Sequence, residues 1–133
     1  MINEASAAEA TALTRGGVYW VKDHFLNENE QQEMDETYHP YLIVSSDRNN
    51  QGHSKNVTVA MLSTNLSTVT MSTHVLLNGY RNLRPSIVKT ENLSTIPKAY
   101  IGDRICQVRK GDMMNVDRCL SLVLQLPIFE TEE

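Results

Sequence analysis

Residues 57–62 read Val57-Thr58-Val59-Ala60-Met61-Leu62, an almost continuous run of β-branched and apolar side chains. A run this short and this rich in β-branched residues is typical of a buried strand rather than a helix. Similar short runs lie on both sides of it, at residues 18–21, 41–44, 73–77 and 86–88. No helical pattern separates them, and a parallel sheet would need long crossovers that are missing. The sequence therefore predicts a small antiparallel β-barrel or a strongly bent antiparallel sheet.

The C-terminal part of the chain changes period. Its apolar residues recur at steps of three and four, which is the stripe of an amphipathic helix; they are Met113, Val116, Leu120, Val123 and Leu124. Asp112 stands where an N-cap would accept backbone N–H groups, and Pro127 marks the stop. Residues 97–104 are predicted to hold a short helical turn. The predicted fold class is mainly β with α (α+β), with this helix packed on the sheet.

The length of 133 residues fits one domain. We assign residues 1–14 to a flexible N-terminal segment, residues 15–126 to the folded domain and residues 127–133 to an acidic tail. No apolar run approaches the roughly 20 residues that a membrane span needs. The first residues also lack the pattern of a signal peptide. We therefore expect a cytoplasmic protein with no membrane contact.

The formal charge of -4 conceals an uneven distribution. Residues 1–14, 23–36 and 127–133 hold 11 of the 16 acidic residues and no Lys or Arg. The rest of the chain keeps 5 acids and all 12 bases, a charge of about +7. A basic body with acidic surface segments fits RNA or an acidic peptide as partner; solubilising acids on surface segments are the plainer interpretation.

No cofactor or metal is expected from the sequence. Cys106 and Cys119 do not form a CxxC pair, and we interpret them as reduced, half-buried apolar residues. The four histidines lie too far apart for a local metal motif, and none pairs with a cysteine at zinc spacing.

Six motifs in order resemble the MazF/PemK family of bacterial toxin endoribonucleases. The resemblance covers residues 15–126 and rests on the set rather than on any single motif. The motif at residues 15–21 resembles the opening Arg-Gly-Asp/Glu strand of the family, and the motif at residues 39–45 resembles its Arg-Pro-apolar strand. The motif at residues 86–96 resembles the family segment with a central Glu/Asp-Gln. The six are Arg15-Gly16-Gly17-Val18-Tyr19-Trp20-Val21, His39-Pro40-Tyr41-Leu42-Ile43-Val44-Ser45, residues 57–64, Ser72-Thr73-His74-Val75, residues 86–96 and residues 114–126.

The resemblance implies an SH3-like β-barrel with added helices, usually found as a homodimer. It implies metal-independent cleavage of single-stranded RNA, in which the ribose 2′-OH attacks the adjacent phosphate. The products would be a 2′,3′-cyclic phosphate and a 5′-OH end. It also implies an antitoxin whose acidic C-terminal segment covers the RNA groove.

Lys89 and Glu91 match a basic and acidic pair of the family. Two residues apart on an extended strand, their side chains point to one face. A cation there can hold a phosphate while the carboxylate takes a proton. The plainer interpretation is an exposed ion pair that contributes little.

His39 and Ser63 complete the predicted catalytic set. His39 stands where the family carries Arg before Pro40. Arg grips phosphate permanently, whereas His can donate or accept a proton. The replacement implies an imidazole acid, weakened activity, or a cation supplied by another loop. Ser63 falls where the family has a Thr, and its hydroxyl could donate to phosphate or end the strand as a turn.

RNA recognition would fall to loops, through stacking, edge hydrogen bonds and phosphate contacts. The candidate RNA-binding residues are Arg15, Tyr38, Arg48, Asn49, Arg81 and Arg84. The acidic segment 23–36, which in the family borders the groove, would repel RNA unless it folds aside. We hypothesise that it mimics an acidic antitoxin and partly occludes the groove. The alternative function is a non-catalytic module on the same fold, a gyrase-inhibitor-like protein or an antitoxin-binding decoy.

Overall fold

The computed structural model describes residues 12–22 and 37–127. The interpretations given for residues 1–11, for the acidic segment 23–36 and for the tail from residue 128 onward lie outside the described residues. In chain order the elements are β1 (Gly17–Lys22), β2 (Tyr38–Ile43), α1 (Asp47–Asn50), β3 (Asn56–Ser63), a 3₁₀ turn (Leu66–Thr68), β4 (His74–Leu77), β5 (Ser86–Pro97), a second 3₁₀ turn (Lys98–Tyr100), β6 (Ile101–Gln107) and α2 (Lys110–Leu124).

The six strands form one antiparallel sheet in the order β4-β5-β3-β2-β1-β6. The α+β class and the antiparallel arrangement are confirmed. The sheet is not closed into a barrel, because β4 and β6 remain its two edges and no ladder joins them in the described part of the chain. The strongly bent sheet, which was the other form that the strand pattern predicted, describes the architecture better.

Each face of the sheet carries its own apolar cluster, as the alternation of side chains along a strand requires. Val18, Leu42 and Val88 contribute to the cluster that contains Val116 and Leu120 of α2. Tyr19, Tyr41 and Ile96 contribute to a second cluster, which also contains Leu13. We call these the helix face and the open-side face of the sheet.

The C-terminal helix lies where its apolar stripe predicts, but it begins differently. Its N-cap is Arg109, so Asp112 lies in the first turn and is not the N-cap. The Asp112 carboxylate accepts a hydrogen bond from the Tyr80 hydroxyl at 2.6 Å, which ties the helix start to the loop after β4. The helix ends at Leu124, and its C-cap is Gln125, whose backbone is left-handed (φ 58°), two residues before Pro127. Within the described residues, no helix is long and apolar enough to cross a membrane.

The main errors of the sequence prediction concern β5 and β6. The run at residues 86–88 is only the start of a strand that continues to Pro97. Its second half is polar, yet it pairs with the first half of β3, from Leu93 opposite Ala60 to Pro97 opposite Asn56. The helical turn predicted within residues 97–104 exists at Lys98–Tyr100, but strand β6 follows it immediately.

Candidate functional site

One row of cross-strand neighbours runs over the middle of the sheet. Tyr41 lies opposite Met61, Met61 lies opposite Lys89, and Lys89 lies opposite His74. Directly opposed residues of an antiparallel sheet project to the same face. Tyr41 belongs to the open-side cluster, so Lys89 and His74 project to that face as well.

His39 and Ser63 share this face. His39 precedes Tyr41 by two positions in β2, and Ser63 follows Met61 by two positions in β3, so alternation points all four side chains the same way. The ladder between β2 and β3 ends at the pair Tyr41 and Met61. If the same register is extended by two residues beyond this last pair, His39 corresponds to Ser63.

Glu91 lies in a large irregularity of β5. The partner of Met61 is Lys89, but the partner of Ala60 is Leu93, so the three residues between them have no partner in β3. The first of these, Thr90, is fully buried. Its backbone N–H and its hydroxyl both donate to the carbonyl of Thr73, at 3.1 and 2.6 Å. These bonds hold the irregular segment of β5 against Thr73, the residue that precedes β4. An irregularity of this kind, like a β-bulge, changes the direction in which the following side chains point.

The Glu91 carboxylate accepts two hydrogen bonds from the β4 side. Thr73 donates its hydroxyl to Oε1 at 3.1 Å, and His74 Nε2 lies 2.9 Å from Oε2. The His74 side chain is only 3% exposed, whereas the Glu91 side chain is 41% exposed. A carboxylate has about four lone-pair directions. With the hydrogen bond from its own backbone, three are used, so about one remains open to a ligand.

These contacts decide the charge of Glu91. Burial alone would raise its pKa, but the hydrogen bonds from His74, from its own backbone and from Thr73 together outweigh it and lower the pKa below the usual value. Stabilisation of the charged form by donors is the physical cause. The carboxylate is therefore ionised at neutral pH, which is the form that can accept a proton.

Lys89 supplies a positive charge to the same strand, two residues before Glu91. It is half-buried, and in the described part of the chain its ammonium group makes no hydrogen bond or ion pair. The expectation that Lys89 and Glu91 form an exposed ion pair with each other does not describe the structure, because the carboxylate binds His74 and Thr73 instead.

His39 and Ser63 occupy more modest positions. His39 is exposed near the start of β2, opposite Val21. The Ser63 oxygen accepts the backbone N–H of Asn65 at 3.1 Å, which closes the turn after β3. Its hydroxyl proton is not used by this bond, so the turn role and a donor role are compatible.

The predicted RNA-binding residues do not form one cluster. Arg15 is tied to the helix face, because its Nε donates to the Val44 carbonyl at 2.8 Å and its Nη2 pairs with Asp117 at 2.7 Å. Arg48 and Asn49 lie on α1, and Tyr38 is an exposed residue at the start of β2. Arg81 and Arg84 lie in the loop between β4 and β5, at the end of these strands away from Glu91.

Two surface cavities lie elsewhere. One of about 440 Å³ is a mainly apolar groove beside α2, lined by Val44, Leu120 and Leu124 among others. A larger one of about 710 Å³ lies beside Leu13 and Lys98. None of Glu91, Lys89, His39 or Ser63 lines either cavity. The candidate site therefore lies outside both cavities, on the open-side face of the sheet.

His74 and Thr73 are the residues of this site to which sequence reasoning gave no role. The motif Ser72-Thr73-His74-Val75 was matched as a strand start only. The available signal was a polar pair at the entrance of an apolar strand. That pattern does not reveal that His74 contacts Glu91, which lies 17 positions away in the chain.

The sheet, the helix packed on one of its faces and the polar residues on the other together define a small α+β protein with a candidate site on the open-side face. The chain belongs to the PemK-like, MazF-like toxin family of type II toxin-antitoxin systems, whose family model matches residues 14–124.

Solved structures agree with this assignment. An endoribonuclease from a mycobacterial species is 27% identical, with a TM-score of 0.68, and the match covers 87% of this chain and 94% of that one. A mycobacterial endoribonuclease in complex with its cognate antitoxin is 25% identical, with a TM-score of 0.68, and 86% and 97% of the two chains are covered. A MazE–MazF structure from Deinococcus radiodurans is 12% identical at a TM-score of 0.69, over 86% and 97% of the chains, and supports the fold alone. No curated protein sequence matches the chain closely enough to count as a relative.

Proposed function

We propose that this toxin is an endoribonuclease that cleaves single-stranded RNA by attack of a ribose 2′-OH on the adjacent phosphate. The observation that carries the proposal is the exposed, ionised Glu91 carboxylate, which is held by His74 and Thr73. Similarity to two mycobacterial endoribonucleases supports the same reaction class.

In the proposed reaction Glu91 is the general base. It accepts the 2′-OH proton as the 2′-oxygen forms its bond to phosphorus, and the bond from phosphorus to the 5′-oxygen breaks. Lys89 and the Ser63 hydroxyl stabilise the charge that develops on the phosphate oxygens. The departing 5′-oxygen takes a proton from His39. The products are a 2′,3′-cyclic phosphate and a 5′-OH end.

Substrate binding is proposed to use the exposed residues around this face. Tyr38 can stack on a base, and Arg48 and Asn49 can contact phosphate and base edges. Arg81 and Arg84 lie farther along β4 and β5 and would engage a distant part of a longer RNA. Arg15 would contact RNA only where its guanidinium retains free donors beyond Val44 and Asp117.

The biological context follows from the family. We propose a homodimer that acts in the cytoplasm and is neutralised by a cognate antitoxin, as a mycobacterial relative is found in complex with one. The antitoxin's acidic segment would compete with RNA for the basic face.

The test is incubation of purified toxin with a long single-stranded RNA in EDTA. We expect discrete cuts whose 5′ ends are labelled by polynucleotide kinase without prior phosphatase treatment. Glu91→Gln and Lys89→Ala should lower the cleavage rate by about 100-fold or more, the usual scale for a base or an electrostatic group. Asp103→Asn and Lys55→Ala remove the same charges from exposed positions outside the site and should retain activity.

The opposite outcome distinguishes the non-catalytic alternative. The replacement of the family's Arg by His39 is the observation that favours this alternative. RNA left intact by folded, antitoxin-free protein would overturn the proposed reaction and support a binding module on the same fold.

A further inference from the structure

His74 is a buried histidine with both ring nitrogens occupied. Nε2 lies 2.9 Å from Glu91 Oε2. Nδ1 lies 2.9 Å from the Thr68 hydroxyl and 3.1 Å from the Thr68 carbonyl oxygen. An ionised carboxylate only accepts hydrogen bonds, so Nε2 carries a proton and donates it. Nδ1 has a suitable partner at Thr68 whether it donates or accepts.

The turn that carries Thr68 is itself held by local hydrogen bonds. Asn65 caps it by accepting the Ser67 N–H at 3.1 Å, and Val69 N–H donates to the Leu66 carbonyl at 3.1 Å. The chain then returns through Met71 N–H to the Thr68 carbonyl at 3.0 Å. Thr68 is thereby fixed behind the imidazole, and the imidazole is fixed behind the carboxylate.

Burial decides what His74 can do. With a side chain that is 3% exposed, it cannot contact an RNA on the open face. It can act only through the carboxylate that it contacts. The groups that contact the Glu91 carboxylate are His74 and Thr73 from the β4 side. On its own strand the nearest charged residue is Lys89, which lies opposite the uncharged Met61 of β3 and opposite His74 of β4.

We infer that His74 is a positioning residue: through its Nε2–H, and braced by Thr68 at Nδ1, it holds the Glu91 carboxylate in the place and orientation that a general base needs. This inference rests on the proposed role of Glu91. The bonds from Thr73 and His74 take one direction at each oxygen and, with the bond from the Glu91 backbone, leave the remaining direction for the 2′-OH. The same donors disfavour protonation of the carboxylate before substrate arrives.

Two substitutions separate positioning from mere packing. His74→Leu keeps a side chain of similar size and removes the donor. His74→Gln keeps an amide N–H that can reach the place of Nε2. A packing role predicts that both variants behave alike, whereas a positioning role predicts that His74→Gln retains much of the effect. His53→Leu, at an exposed loop position, is the matched control for loss of a histidine.

The first readout does not need activity. The Glu91 carboxyl carbon is followed by NMR during a pH titration of the full chain. We expect His74→Leu to raise the pKa of Glu91, His74→Gln to raise it less, and His53→Leu to leave it unchanged. Thr68→Val removes the hydroxyl contact to Nδ1 and leaves the imidazole and the Thr68 carbonyl in place. It should shift the pKa of Glu91 in the same direction by a smaller amount, and it keeps the test decisive where His74→Leu does not fold.

The second readout is the pH profile of RNA cleavage. In His74→Leu the acidic limb of kcat/KM should move to higher pH. On the plateau, where Glu91 is ionised in both proteins, kcat should fall about tenfold with KM nearly unchanged, which is the signature of an interaction made only in the transition state. An unaltered Glu91 titration and an unaltered acidic limb in folded His74→Leu and Thr68→Val would overturn the inference. If those titrations are unaltered but Glu91→Gln loses cleavage, the role proposed for His74 is wrong and the proposed function is retained. Absence of cleavage in the unsubstituted protein would overturn the proposed function instead, with the NMR result still deciding the role of His74.

Discussion

Glu91 shows how environment assigns a task to a single residue. The chain has 16 acidic residues, and Glu91 differs from a solvated surface carboxylate by its two donors at the start of β4, Thr73 and His74, and by its irregular backbone. His74 donates from the buried side, while the Glu91 side chain stays 41% exposed. A general base needs both properties, since it must be ionised before the reaction and accessible during it.

The lowered pKa of Glu91 predicts the acidic limb of the reaction. A base is active when deprotonated, so a lowered pKa extends activity to lower pH. We expect kcat/KM to stay on its plateau below the pH at which an ordinary Glu would be half protonated, and to fall as the pH drops through the Glu91 pKa. Rapid cleavage assays in buffers of constant ionic strength measure this. An acidic limb above the usual Glu pKa would contradict the assignment.

His39 predicts the effect of restoring the family's Arg. The residue stands where the family has Arg, and a guanidinium neither donates its proton in the working pH range nor accepts one. If His39 protonates the leaving 5′-oxygen, His39→Arg should lower kcat by about 100-fold, because the proton donor is lost. It should also lower KM, because Arg grips phosphate in a bidentate manner. Steady-state cleavage assays of both proteins measure the two constants, and an unchanged kcat in His39→Arg would assign the acid to another group.

At the scale of elements, the irregular segment of β5 is the structural device that makes the site. It interrupts the ladder to β3 and aims Glu91 at β4, and Thr90 secures it through two bonds to the Thr73 carbonyl. The cost of such a segment is lost pairing with β3. The buried Thr90 hydroxyl offsets part of that cost.

Thr90→Val tests this anchor. Val matches the shape of Thr but lacks the hydroxyl that donates at 2.6 Å. We expect the free energy of unfolding in urea to fall by about 1 to 2 kcal/mol, the usual range for a buried hydrogen bond. Cleavage should fall as well, because Glu91 follows directly. Thr95→Val, at an exposed position of the same strand, is the control and should change stability little. Equal stabilities of the two variants would show that the hydroxyl does not anchor the segment.

Elements were predicted unevenly from the sequence, for a physical reason. Strands β1 to β4 and helix α2 have a strong local apolar pattern, and each lies close to its predicted position. The polar second half of β5 and the charged, glycine-containing β6 lack that pattern. Both become strands because a neighbouring strand supplies hydrogen bonds: β3 pairs with the second half of β5, and β1 pairs with β6. A local stretch of sequence does not contain this information.

At the scale of the whole molecule, charge is divided between a basic body and acidic segments. The acidic segment 23–36 holds six acids and lies outside the described residues, between β1 and β2 in the chain. Because the segment directly precedes the strand that carries His39, the hypothesis that its acids repel RNA remains a prediction.

Replacing the six acids of this segment with Gln and Asn tests that hypothesis. We expect RNA to bind more tightly and cleavage at low substrate concentration to rise, because removal of negative charge relieves repulsion of the phosphates. The gain should shrink at high salt, where screening weakens both effects. The control replaces the three Glu residues of the tail, Glu130, Glu132 and Glu133. Unchanged RNA affinity at low salt would reject the hypothesis.

The sequence by itself determined the antiparallel α+β class, the family and the individual residues Lys89, Glu91, His39 and Ser63 as candidates. These follow from local apolar patterns and from motifs in order, and both are written along the chain. Only the tertiary structure decided that the sheet stays open, that Glu91 leaves the ladder, and that its partners are His74 and Thr73 rather than Lys89. The physical reason is that strand register and the irregularity of β5 depend on pairing between distant segments. A hydrogen bond over 17 positions forms only after that pairing has brought the two strands side by side.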